Sequence, residues 1–170
     1  LTWLIKAGRG FGKTRIGAET TREMVEAGQA RRIGLIGRTP ADVRDTMIEG
    51  ESGILACCPP WNKPTYEPSK RRLTWPNGAL AQTFTSYEPD QLRGPQFDFA
   101  WYDELAAFAY LRETWDNGQL ALRLGPRPRQ VVTTTPRPVT VLKQLMVAPS
   151  TVVTSGSTYD NLRNLSPNFR

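Results

Sequence analysis

Two short stretches of the chain carry residue types suited to handling phosphate. Residues Ala7 to Thr14 read A-G-R-G-F-G-K-T, and Asp103-Glu104 closes an apolar run that begins at Phe97. The first stretch fits G-x-x-x-x-G-K-[S/T], with Ala7 where the first glycine usually stands. Gly8, Gly10 and Gly12 permit a tight turn whose successive N–H groups point at phosphate oxygens. Lys13 brings a point charge for the β- and γ-phosphates, and the Thr14 hydroxyl is a Mg²⁺ ligand. A helix starting near Lys13 adds the positive end of its dipole.

The acidic pair supplies the complementary chemistry. In nucleotide hydrolases the first acid at such a strand end holds Mg²⁺, and the second polarises the attacking water. Asp-Glu by itself is also a common helix start. Following an apolar strand and a phosphate loop, it reads as the second half of a hydrolytic site. Thr133, Thr134 and Thr135 run into Pro136. A hydroxyl there is placed to touch the γ-phosphate or the water, although a threonine-rich strand end is equally good β-sheet chemistry. Arg93 precedes a Gly-Pro turn before the acids; it is a candidate arginine finger or a plain surface arginine.

These residues need elements to position them. Thr2 to Ala7 reads as a strand, and Lys13 to Ala27 as an amphipathic helix ended by Gly28. Ile33 to Gly37 is a buried parallel strand. Thr39-Pro40 opens a helix through Met47, with threonine as N-cap and proline at the first helical position. Residues 50–69 are rich in loop signals, with four prolines. Arg71 to Trp75 and Ala79 to Thr85 flank Pro76-Asn77-Gly78 as a hairpin. Phe97 to Tyr102 is expected as a central strand. A helix is predicted over Arg112 to Leu122, with Asn117-Gly118 as the point where it could break. Gln130 to Thr135 is a strand, Val139 to Val147 a helix and Thr151 to Thr154 a last strand. Alternating strands and helices around a phosphate loop predict a three-layer α/β domain with a mainly parallel sheet. Its ligand belongs at the carboxyl edge of that sheet.

Composition narrows the chemistry. The 170 residues suit one domain with a proper core. Histidine is absent, which rules out a histidine base, a Ser-His-Asp triad and an HExxH metal site. Cys57 and Cys58 are adjacent; they suit a reduced, cytosolic protein better than a disulfide, and cannot close a zinc site alone. There is no long apolar run, so no membrane span is predicted. The formal charge is +6, with 17 Arg against 5 Lys, which leans toward a polyanionic partner. The chain opens on a core strand without a methionine, and a longer protein is expected.

Several stretches together resemble the ATPase domain of a large terminase subunit, the DNA-packaging motor of tailed bacteriophages and related gene-transfer particles. They are W-L-I-K-A-G-R-G-F-G-K-T-R from Trp3, A-D-V-R-D from Ala41, E-G-E-S-G-I-L from Glu49 and Y-E-P-S-K-R-R-L-T-W-P-N-G-A from Tyr66. E-P-D-Q-L-R-G-P-Q-F-D from Glu88, W-Y-D-E-L-A from Trp101, T-T-T-P-R-P from Thr133 and G-S-T-Y-D-N from Gly156 complete the likeness. The resemblance implies a P-loop NTPase of the ASCE type (phosphate loop and catalytic glutamate on one sheet) using ATP and Mg²⁺. It implies nucleotide contacts from Arg9, Gly10, Gly12, Lys13, Thr14 and Arg15, and metal contacts from Thr14 and Asp103. Glu104 is the implied catalytic base, Thr135 belongs to the implied coupling segment, and Arg93 acts in trans between ring neighbours.

The same resemblance implies a homo-oligomeric ring acting on double-stranded DNA in the host cytoplasm, with portal protein and small terminase subunit as partners and no membrane. It divides the chain into an ATPase domain over 1–154 and the start of a linker and lid over 155–170. A nuclease domain is expected after 170, and no nuclease activity from this stretch. A helicase-type ATPase and a non-catalytic, nucleotide-dependent assembly module stand as alternatives. Lys70, Arg71 and Arg72 on the hairpin are candidate phosphate contacts.

Overall fold

The computed structural model describes residues 1–166. Its strands are β1 (Thr2–Ala7), β2 (Arg32–Gly37), β3 (Thr65–Glu67), β4 (Arg72–Thr74), β5 (Leu80–Thr85), β6 (Phe99–Asp103), β7 (Arg129–Thr134) and β8 (Thr151–Gly156). They form one sheet in the order β3-β4-β5-β2-β6-β7-β1-β8. From β5 to β8 every neighbouring pair is parallel, and β3 and β4 add an antiparallel edge. The strand bearing the threonines, β7, lies between the phosphate-loop strand β1 and the acid-bearing strand β6. This is the three-layer arrangement of an ASCE-type P-loop NTPase.

The longer helices are α1 (Lys13–Glu26), α4 (Leu111–Ala121) and α5 (Thr140–Val147), with short α2 (Pro40–Asp42) and α3 (Ile54–Cys57) between. Period-two alternation sends neighbouring apolar residues to opposite sheet faces. Ile5, Leu35, Trp101 and Val131 enter the core beneath α1, while Leu4, Ile36, Tyr102 and Val132 enter the core beneath α4 and α5. Two apolar layers on one sheet explain why these strands read as continuous hydrophobic runs.

Glycine decides how closely two of the helices approach. A Cβ on Gly17 of α1 would fall inside the Trp101 indole, and one on Gly118 of α4 would meet the Tyr102 hydroxyl. The helix does not break at Asn117-Gly118: α4 is continuous there, and Gly118 packs against Tyr102. Asn117 also donates its amide to Pro89 O at 2.9 Å.

Other differences are local. The stretch 50–69 contains α3 and β3 rather than loop alone. Asp42 N donates to Thr39 Oγ1 at 3.0 Å, as an N-cap should, but beyond α2 the helix widens to π geometry over Val43–Ile48. Phe97 stands outside β6 and makes an isolated parallel bridge to Leu122. The last strand runs on to Gly156, beyond the predicted Thr154, because Ala7 of β1 pairs with Gly156.

Candidate functional site

The loop from Gly8 to Gly12 joins β1 to α1 at the carboxyl edge of the sheet. Gly10 and Gly12 have φ of 76° and 99°, left-handed values that an L side chain resists. Their position turns the chain so that Lys13 opens α1. Lys13 is only 6% exposed. Its Nζ donates to Gly8 O at 2.9 Å and lies 3.7 Å from Glu104 Oε1. A nearly buried ammonium is tolerable because both contacts compensate its lost hydration.

The register aligns the other two strand tips with the loop. Thr133 of β7 pairs with Ile5 of β1 on one side and Asp103 of β6 on the other. Alternation places Asp103 on the same face as Trp101, the face covered by α1 and therefore by Lys13 and Thr14. Asp103 is 6% exposed, and burial, reinforced by the Glu104 charge, pushes its carboxyl up to about 6, against the Thr133 hydrogen bond and the Lys13 charge. Thr133 Oγ1 donates to Asp103 Oδ1 at 2.7 Å while accepting from the Trp101 indole N–H at 3.0 Å.

Glu104 adopts the left-handed conformation, φ 54° and ψ 47°, at a cost of about 1–2 kcal/mol for a residue with a Cβ. Its N–H still donates to Thr133 O at 2.7 Å, which secures the distorted turn to β7. The carboxylate accepts from the Thr135 N–H at 3.3 Å and from the Thr135 hydroxyl, 3.1 Å from Oε2. The three threonines thus have three tasks. Thr133 holds Asp103, Thr135 holds Glu104, and Thr134 Oγ1 accepts from Ala106 N at 3.1 Å to fix the following turn.

Two adjoining cavities open here. One of about 540 Å³ is bordered by Arg9, Gly10, Gly12, Lys13, Thr14 and Arg15; the other, about 310 Å³, by Asp103, Thr135, Arg38 and Arg137. Arg9 and Glu104 border both. The candidates for nucleotide, metal and catalysis therefore converge except Arg93, and the hairpin cations Lys70, Arg71 and Arg72 also border neither cavity. Arg93 lies on another face beside Leu120 and Arg123, with its side chain 73% exposed and 3.4 Å from Asp90. Arg15 reaches outward and pairs with Glu19 at 3.0 Å.

Arg38, Asp42 and Arg137 escaped the sequence reading. Arg38 follows the tip of β2 and Arg137 follows that of β7, so scanning every parallel strand tip for charge would have found both. Arg38 pairs with Asp42 at 2.8 Å, whereas Arg137 has no carboxylate partner among the described residues. The hairpin cations are engaged as well: Lys70 and Arg72 pair with Glu67 at 3.2 Å, and Arg71 with Glu88 at 3.7 Å.

A divalent ion fits this donor set. Mg²⁺ takes hard oxygen ligands and commonly needs only one or two carboxylates beside substrate phosphates. Asp103 supplies a buried carboxylate with one protein hydrogen bond, and Thr14 supplies a hydroxyl. Among the described residues no group of three or more His, Cys, Asp or Glu forms a free-standing metal cage. No helix there is long and apolar enough to cross a membrane.

Comparisons with known proteins agree with this architecture. The large terminase of a thermophilic bacteriophage superposes with a TM-score of 0.76 at 13% identity, covering 99% of this chain and 43% of that one. The same protein in complex with ADP gives 0.73 at 15% identity, covering 99% and 42%. The large terminase ATPase domain of Thermus phage P74-26 gives 0.61 at 14% identity, covering 96% and 79%. The chain thus spans less than half the length of the first of these proteins. No curated protein matches it. The profile of the family described as terminase large subunit, T4likevirus-type, N-terminal, matches residues 4–170. The chain belongs to that terminase large-subunit family.

Proposed function

We propose that the chain hydrolyses ATP and, within a longer protein, drives double-stranded DNA into a viral procapsid. The observation that carries the ATPase reading is the setting of Glu104. Left-handed backbone turns its carboxylate into the cleft, Thr135 orients it, and the Lys13 ammonium stands opposite at 3.7 Å. A carboxylate held this way accepts a proton from a water attacking the γ-phosphorus in line. Lys13 and the loop N–H groups stabilise the charge that gathers on the phosphate oxygens. Asp103 and Thr14 would hold Mg²⁺, which neutralises charge on the β- and γ-phosphates.

Thr135 links this chemistry to the sheet. Its N–H and hydroxyl both contact Glu104, so a shift of that carboxylate after γ-phosphate loss is felt at the end of β7. A single chain leaves the cleft without Arg93, whose exposure on another face suits donation to a neighbouring subunit. The reading is therefore a homo-oligomeric ring, with portal protein and small terminase subunit as partners in the host cytoplasm.

The test is ATP turnover per subunit as the chain concentration is raised, with and without double-stranded DNA. The expected result is a rate per subunit that climbs with concentration and is lost in Arg93→Ala. A rate independent of concentration and of Arg93 would remove the trans finger. No hydrolysis at any concentration would overturn the ATPase reading for this chain.

A further inference from the structure

The segment leaving β8 returns to the phosphate loop and hydrogen-bonds to its carbonyls. Gly8 N donates to Gly156 O at 3.4 Å, and the Phe11 ring covers Gly156 where a Cβ would collide with it. Beyond β8 comes a 3₁₀ stretch over Thr158–Asn164. Thr158 Oγ1 donates to Arg9 O at 2.7 Å, and Asn161 Nδ2 donates to Gly10 O at 2.6 Å. Asn161 is itself oriented, since its Oδ1 accepts from Asn164 Nδ2 at 2.7 Å. Ser157 N donates to Asp160 Oδ2 at 2.6 Å, which ties the start of the turn.

The loop is shaped to receive this strap. A Cβ on Gly8 would stand 2.6 Å from Thr158 Oγ1, and one on Gly10 would stand 2.7 Å from Leu165. These two glycines therefore serve the strap as well as the phosphate turn.

A trans peptide directs its C=O and N–H to opposite sides. Holding the Arg9 and Gly10 carbonyls toward Thr158 and Asn161 turns the N–H groups of Gly10 and Phe11 to the opposite side of those peptides. Neither N–H has a hydrogen-bond partner among the described residues. Asn161 also borders the larger cavity with Gly12, Lys13 and Thr14. Unpaired N–H groups aligned in a glycine-rich turn are the means by which such a loop binds anions.

We propose that the segment from Ser157 to Leu165 is a strap that presets the phosphate loop. Thr158 and Asn161 are positioning residues that aim the Gly10 and Phe11 N–H groups at the nucleotide phosphates. The inference rests on the nucleotide-binding reading above and adds a coupling to it. If the strap orders the loop for phosphate, phosphate stabilises the docked strap by the same factor. The chain leaving β8 is then held more firmly when nucleotide is present, through a contact separate from that of Thr135 and Glu104.

The experiment is Mg²⁺-ADP binding by the chain, by Thr158→Val/Asn161→Ala and by Thr158→Ser, together with amide exchange. The double substitution is expected to raise the dissociation constant about 10- to 100-fold, the effect of two lost hydrogen bonds. Thr158→Ser, which keeps the hydroxyl, is expected to bind within about threefold of wild type. ADP should slow exchange across residues 157–165 in the wild-type chain and leave it unslowed in the double variant. Unchanged ADP affinity in that variant would overturn the strap, and a lower melting midpoint with unchanged affinity would assign these contacts to stability alone. Wild-type protein that binds no ADP would sink the nucleotide reading, and the strap's role with it.

Discussion

The strand β6 is flanked by an aspartate at each end, and the two are treated in opposite ways. Asp98, just before the strand, is half-buried and accepts from Arg31 N at 3.0 Å and from Arg32 N at 3.0 Å. Its charge remains near water while it closes the turn into β2. Asp103, at the far end, is buried and has one hydroxyl for support, donated by Thr133. The first aspartate is paired with backbone donors and stabilises the fold. The second is deprived of solvent and held ready, which costs stability and leaves lone pairs free for a ligand. In an open α/β sheet the amino edge and the carboxyl edge separate these roles, because loops at the carboxyl edge can gather side chains around one cleft.

The largest expected effect lies at the carboxyl edge. Glu104→Gln should lower turnover by about 10²- to 10⁴-fold, the usual loss for a positioned general base, while ATP still binds. Near-normal single-turnover hydrolysis in that variant would take Glu104 out of the chemistry.

Asp103→Asn comes next, read as stability in urea with Mg²⁺ chelated. The native carboxyl titrates at about 6 against an ordinary 3.8, so the folded state binds the proton more tightly than the unfolded chain. The stability this gives is complete below pH 3.8 and is lost as pH rises through 6. Replacing the carboxyl with a neutral amide should therefore stabilise the chain by up to ~3 kcal/mol at pH 8, and by little at pH 3.5. A variant less stable than wild type at pH 8 would show that the buried charge is not the strained partner.

Gly17→Ala tests the packing that brings α1 to β6. The added Cβ must displace the Trp101 indole, so a loss of about 1–3 kcal/mol and a lower melting midpoint are expected. An unchanged midpoint would mean that Trp101 has room to move.

Asp98→Ala is the smallest and sharpens the contrast. Losing its backbone partners should cost about 1 kcal/mol, with turnover per folded molecule unaltered. Reduced turnover at full folding would mean that the two ends of β6 are not separate in role.

Legibility in the sequence followed the range of the interaction. The phosphate loop and the acid pair are contiguous motifs, and the apolar runs of β1, β2, β6 and β7 are local periodicities, so all were readable. The three threonines were not distinguishable, since adjacent identical residues carry no label. Pairing of Asp103 with Thr133 and the period of two assign one hydroxyl to each task. Gly118 read as a helix breaker because its reason for being glycine, the Tyr102 ring, comes from another strand. Arg38 and Arg137 were missed because each is a lone arginine until the sheet order places both strand tips beside the cleft.

By itself, the sequence determined the chemical inventory and its order along the chain. It specified a glycine-rich turn before a lysine, a carboxylate pair after an apolar strand and a fold of alternating strands and helices, because these depend on neighbours a few residues apart. Only the tertiary structure decided which groups meet. Burial raised the Asp103 carboxyl, the left-handed turn aimed Glu104 at Lys13, and the segment after β8 came back to hold the loop near the start of the chain. Those outcomes depend on sheet order, register and exclusion of water, quantities that do not exist until distant strands pack.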